Sequence, residues 1–173
     1  MRFLIVTDIH GRPGFANCLS RRLSSRRQMI VRTISLSELV GVDCAGETLH
    51  RRLVDGDGFA RAARHLIDLA EHADVALGYS AGGMVLWQSV LFGLSIDRLI
   101  CISSTRLRQV SAAAVPIPVL AVFGEEDRNR PPDAWGTCSH VQTYVISGAG
   151  HDFYGTDGPA RDLCLARVAN FLG

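Results

Sequence analysis

Six short apolar runs recur along the chain: Phe3 to Val6, Met29 to Ile34, Val75 to Leu77, Arg98 to Ile102, Val119 to Phe123 and Val141 to Ile146. Most lack strict period-two alternation, the pattern of strands covered on both faces. Between them the spacing becomes helical. Phe15 to Arg27 sets Phe15, Leu19 and Leu23 on one face and turns Arg22, Arg26 and Arg27 to solvent. Asp57 is placed to cap a helix running to about His72, with Ala62, Leu66 and Leu69 inward. A further helix is expected over Ala81 to Phe92, and Pro159 opens a last one through Val168 and Leu172. Ser35 to Gly56 reads as a short helix or a loop that borders a site. Alternating strands and helices predict a parallel sheet with crossover helices, whose ligands gather beyond the C-terminal strand ends.

Composition narrows this picture only slightly. The 173 residues are 47% hydrophobic and 20% charged, which suits one α/β domain over 1–173 with a substantial core. A net charge of +1 gives no argument for nucleic acid or a membrane surface. All eighteen basic residues are arginine, so lysine-based Schiff-base and P-loop chemistry is excluded. Five widely spaced cysteines without a C-x-x-C pair fit a reduced, cytoplasmic setting, and no apolar run approaches a membrane span.

Candidate chemistry lies just past four of the strands. Phe3 to Val6 runs into TDIHG, Val75 to Leu77 into GYSAGG, Val119 to Phe123 into GEEDRNRP, and Val141 to Ile146 into SGAGHDFY. The sequence Gly78-Tyr79-Ser80-Ala81-Gly82 is a G-x-S-x-G arrangement, which suits a sharp strand-to-helix turn presenting a nucleophile. A serine hydroxyl needs a base, and the base needs a carboxylate to set its tautomer. Ser80, Asp127 and His151 occur in the order associated with this turn. Glu126 competes with Asp127 as the acid, while Asp152, adjacent to the base, reads as structural.

With these residues the chain resembles the α/β-hydrolase superfamily, GEED matching its G-x-x-D acid turn and GAGHDF its histidine turn. The resemblance covers nearly the whole chain. It implies a three-layer α/β/α fold with about six parallel strands in the order 2-1-3-4-5-6, a minimal α/β-hydrolase fold without a lid. It implies a catalytic triad of Ser80, Asp127 and His151 cleaving a carboxylic ester or thioester through an acyl-enzyme, with no cofactor and no metal. The backbone N–H of Ala81 is expected in the oxyanion hole. TDIHG resembles the corresponding turn of dienelactone-hydrolase-like members, which nominates the N–H of Ile9; an H-G-x alignment nominates Arg12 instead. Tyr79, Trp135, Phe153 and Arg106 are candidates for a substrate pocket. Arg106 and Arg108 raise the option of a substrate linked to CoA or a carrier protein, and Trp87 reads as core.

Two other classes compete. Asp8-Ile9-His10-Gly11 also resembles the D-x-H-G opening of calcineurin-like metallophosphoesterases, whose two-metal chemistry suits such ligands. The other motifs of that family are incomplete: Gly56-Asp57-Gly58-Phe59-Ala60 lacks a second aspartate, no G-N-H occurs, and Gly150-His151-Asp152-Phe153 lacks a second histidine. A non-catalytic binding protein on a hydrolase scaffold is the third class.

Overall fold

The first and third apolar runs lie side by side. In the computed structural model, which describes residues 1–12, 18–24 and 28–173, β1 (Arg2–Val6) pairs in parallel with both β2 (Ile30–Ile34) and β3 (Ala73–Tyr79). β4 (Ile96–Ile102), β5 (Val119–Gly124) and β6 (Val141–Ile146) extend the sheet in register. The strand order is 2-1-3-4-5-6, as expected, and every pairing is parallel.

Side chains along each central strand divide between two cores. Leu4, Val6, Leu99, Cys101, Ala121 and Phe123 face one layer; Phe3, Ile5, Ile100, Ile102, Leu120 and Val122 face the other. The first layer holds α2 (Leu36–Val40), α3 (Gly46–Val54), α4 (Gly58–Leu69) and α5 (Ala81–Leu91). The second holds α1 (Leu19–Ser24) and α6 (Pro159–Leu172). This double coverage explains why the strands read as continuous apolar runs. Burial pushes the Cys101 and Cys164 thiols up to about 12, which leaves them inert packing residues.

Several expected boundaries shift. Asp57 does not cap α4 with its side chain; its carboxylate pairs with Arg61 one turn on, and α4 ends at Leu69, before His72. The stretch from Ser35 to Gly56 forms two helices. Ser35 caps α2 by accepting from Glu38 N (3.2 Å), and Gly41 ends it at φ 72°. α3 begins where Gly46 N donates to Ile9 O (2.7 Å), so it braces the turn after β1. Of the first predicted helix, Phe15, Arg26 and Arg27 lie outside the described residues, whereas Leu19 and Leu23 are buried as expected. No helix among the described residues is long and apolar enough to cross a membrane.

Candidate active site

The turn between β3 and α5 is built from close approaches. A Cβ on Gly78 would overlap the backbone of Gly83; one on Gly82 would overlap the carbonyls of Val6 and Thr7; one on Gly83 would overlap Ser104 Oγ. None of these three glycines has a positive φ. They let α5 sit directly on the ends of β1, β3 and β4. The residue forced into a rare conformation is the serine itself, at φ 49° and ψ −120°. Such strain persists only where surrounding packing over-determines it, and here both flanks are pinned. Ser80 N donates to Ile102 O (2.9 Å), and Ser80 O accepts from Gly83 N and Thr105 N (each 3.2 Å).

Ser80 Oγ lies 3.0 Å from His151 Nε2, and His151 Nδ1 lies 2.8 Å from Asp127 Oδ2. An ionised carboxylate can only accept, so Nδ1 carries the hydrogen and donates to Asp127. Nε2 is then the acceptor for the Ser80 hydroxyl. Asp127 is 4% exposed, whereas Glu125 and Glu126 are at the surface, which separates the three consecutive acids by burial. Burial pushes the Asp127 carboxyl up, but hydrogen bonds from His151 and Asn129, with the charge His151 can carry, outweigh it and hold the group below its ordinary range. Glu125 accepts from Ser147 Oγ and Gly148 N, which lowers its carboxyl and straps the acid turn to the histidine loop. A Cβ on Gly124 would overlap the carbonyls of Ala149 and Gly150, so these two turns also meet closely. Asp152 is exposed beside the histidine.

Sequence reading missed two supports. Asn129 N and Nδ2 donate to Asp127 Oδ1 (2.9 and 3.1 Å), the first closing an Asx turn that an aspartate two residues earlier hints at. Tyr154 donates through its hydroxyl to Asp8 Oδ2 (3.1 Å), a contact spanning 146 residues that no local signal could reveal. Burial and the Asp8 charge raise the Tyr154 phenol well above its ordinary value, which keeps it a neutral donor. Its ring meets His151 edge-on at 6.3 Å between centroids.

Asp8, 1% exposed, organises the turn after β1. Its Oδ1 accepts from His10 N (2.8 Å) and Arg12 N (2.7 Å), and its Oδ2 pairs with Arg12 Nε (3.4 Å). The Arg12 N–H is therefore occupied, whereas the N–H groups of Ile9 and Ala81 have no backbone partner among the described residues. This arrangement also counts against the metallophosphoesterase reading. The Asp8 carboxylate is filled by protein donors, and His10 is exposed with its ring against Gly46. Among the described residues, the one group of three side chains placed to share a metal ion is His72, Asp74 and Asp97, near the N-terminal ends of β3 and β4.

Three pocket expectations need correction. Tyr79 is fully buried in the α1–α6 layer, where its hydroxyl accepts from Leu19 N (3.2 Å) and contacts Cys18 Sγ (3.3 Å). The strand period explains this: Gly78 faces α5, so Tyr79 must face away. Phe153 lies in the same core, edge-on to Tyr154. Trp135 stacks on Trp87 (5.0 Å between centroids) and borders a cavity with Val110, Ala112 and Pro132, without Ser80 or His151. Trp87 is core, as read. Arg106 lines a different cavity, beside α5, and Arg108 donates to Asn129 Oδ1 (2.7 Å), bracing the acid turn.

By sequence, no family model and no curated protein matches the chain. By structure, it is similar to a dienelactone hydrolase-like promiscuous phosphotriesterase from metagenomic libraries (TM-score 0.71, 16% identity, 99% of this chain and 85% of that one). It is similar to mouse alpha/beta hydrolase domain-containing protein 10 (0.70, 12%, 99% and 89%). The RedJ thioesterase of the prodiginine biosynthetic pathway in Streptomyces coelicolor is a third (0.66, 15%, 98% and 85%). At these identities the comparison establishes the fold: the chain has the α/β-hydrolase fold.

Proposed function

We propose that the chain is a serine hydrolase that cleaves a carboxylic ester or thioester of a small molecule, free or linked to CoA or a carrier protein. The observation that carries this reading is the hydrogen-bonded series Ser80–His151–Asp127 anchored on a strained, glycine-packed turn. Ser80 Oγ attacks the acyl carbon as His151 Nε2 takes its proton; the proton then passes to the leaving oxygen or sulfur, whose bond to the acyl carbon breaks. Asp127 orients the ring and stabilises its cation. Water, giving its proton to His151, then attacks the acyl carbon; the bond to Ser80 Oγ breaks, Oγ takes the proton from His151, and the carboxylic acid leaves. The N–H groups of Ala81 and Ile9 are the oxyanion donors of this reading, the first also favoured by the N-terminal end of α5. Arg12 is less suited because its N–H already serves Asp8. The mechanism calls on no cofactor, and a reduced, cytoplasmic setting suits the five free cysteines.

A fluorophosphonate tests the reading directly. Intact mass should show a single adduct on the wild type and none on Ser80→Ala, with folding of both checked by circular dichroism. Once an ester substrate is found, Ser80→Ala should lower turnover by about 10⁴-fold or more. A folded wild type that takes no adduct refutes the activated serine.

A further inference from the structure

At the end of the sheet opposite Ser80, three side chains from three segments converge. His72 lies between α4 and β3, Asp74 is the second residue of β3, and Asp97 is the second residue of β4. One ligand atom from each comes within 4.8 Å of the other two. The strand register accounts for the two carboxylates. Ala73 pairs with Ile96 and Val75 with Arg98, so Asp74 and Asp97 stand side by side on neighbouring strands. Like charges in that relation repel. The other charges nearby, Glu71, Arg2 and Arg32, line a groove beside His72, and no arginine side chain pairs with Asp74 or Asp97 among the described residues.

The surrounding contacts aim the lone pairs of the cluster inward. Asp74 Oδ2 accepts from Arg2 N (2.7 Å) and faces the Met1 ammonium (4.0 Å), which leaves Oδ1 toward His72. His72 Nδ1 lies 3.0 Å from Ser95 Oγ, and Nε2 lies 3.7 Å from Asp74 Oδ1. With Nδ1–H donating to Ser95, Nε2 presents a lone pair to the two carboxylates. A partner on the other ring nitrogen is how metal-binding histidines are held in orientation. The 3.7 Å separation is too long for a hydrogen bond. It fits two ligands on one ion, since atoms about 2.0–2.1 Å from a tetrahedral zinc stand about 3.4 Å apart.

We propose that His72, Asp74 and Asp97 bind a divalent transition-metal ion of the zinc class, with water completing its coordination. One imidazole with two carboxylates suits zinc, and the imidazole disfavours magnesium and calcium, which take oxygen ligands. All three residues are open to solvent at least in part, so the ion has a path in. Bound there, it offsets the repulsion between the carboxylates and ties the segment after α4 to the starts of β3 and β4. The length of β3 separates this site from Ser80 by about 20 Å. The ion therefore takes no part in the ester chemistry, and the inference does not depend on Ser80 being a nucleophile.

The test is isothermal titration calorimetry with zinc chloride on protein stripped by EDTA and then freed of the chelator. The wild type should bind one equivalent. His72→Gln and Asp97→Asn should each weaken that binding by at least the roughly 10- to 100-fold that loss of an outer-shell partner costs. Zinc at about 100 times its dissociation constant should raise the thermal midpoint of the wild type by about 5–10 °C and leave that of His72→Gln unmoved. Magnesium should do neither. His151→Gln and His140→Gln are the controls for zinc captured at the triad or beside Cys138, and both should bind as the wild type does. Folding is checked by circular dichroism, and two variants on different segments guard against one that fails to fold. Zinc binding that survives both His72→Gln and Asp97→Asn, or that is lost in either control, places the ion elsewhere and overturns the site. A wild type that binds no zinc at millimolar concentration, or on which magnesium acts as strongly, overturns it as well.

Discussion

The two ends of the sheet carry similar residue types in different states. At the C-terminal end His151 and Asp127 meet at 2.8 Å, with the aspartate side chain 1% exposed; at the N-terminal end His72 and Asp74 stand 3.7 Å apart, 44% and 42% exposed. Asp127 has three protein donors arranged around it. Asp74 accepts from Arg2 N, and His72 faces Ser95 Oγ in open surroundings. An exposed pair is screened by water and contributes little, whereas a shielded, hydrogen-bonded pair sets a tautomer and holds it. Burial and geometry separate the two pairs, not the presence of histidine beside aspartate.

A pair of matched substitutions tests the difference between the two ends most directly. Asp127→Asn should lower ester turnover by about 10³- to 10⁴-fold, because the amide no longer stabilises the required imidazole tautomer. Asp74→Asn should leave it within about twofold, as expected for an exposed site. Comparable losses in steady-state kinetics would dissolve the distinction between the two ends.

The packing of the serine turn comes next. Gly83→Ala drives a methyl into Ser104, and overpacking of this kind costs about 1–3 kcal/mol in urea unfolding. A neutral result would show that the turn yields more easily than its contacts suggest. Tyr154→Phe removes a donor from the buried Asp8, with an expected loss of about 1–2 kcal/mol. It should also lower kcat modestly, since the turn carrying Ile9 hangs on that carboxylate.

The smallest effect is on acid stability. Asp127 titrates below its unfolded value of about 3.9, so its contribution is present above that pH and is lost as pH falls through the depressed native value. The stability difference between wild type and Asp127→Asn, measured by urea unfolding at stepped pH, should therefore shrink below about pH 4.

Much of the site was legible because its parts sit at predictable places. A parallel sheet puts each strand's C-terminal end on one edge, so Ser80, Asp127 and His151, each just past a strand, had to come near one another. The glycines of GYSAGG were legible as a demand for space. That they serve close approach, while Ser80 takes the positive φ, required the packed neighbours. Tyr79 was misplaced because adjacency in sequence was read as adjacency in the pocket, whereas the strand period sends it to the opposite face.

The strand-helix alternation, the two-sided core and the order of the candidate nucleophile, acid and base could be read along the chain, because periodicity and turn chemistry are local. Packing across the fold settles which of three consecutive acids is buried, that Asp8, which holds the turn after β1, accepts from Tyr154, and that Arg106 lies over the Phe59 ring and donates to Gln109. Those outcomes depend on segments up to 146 residues apart, brought together by packing that no local pattern encodes.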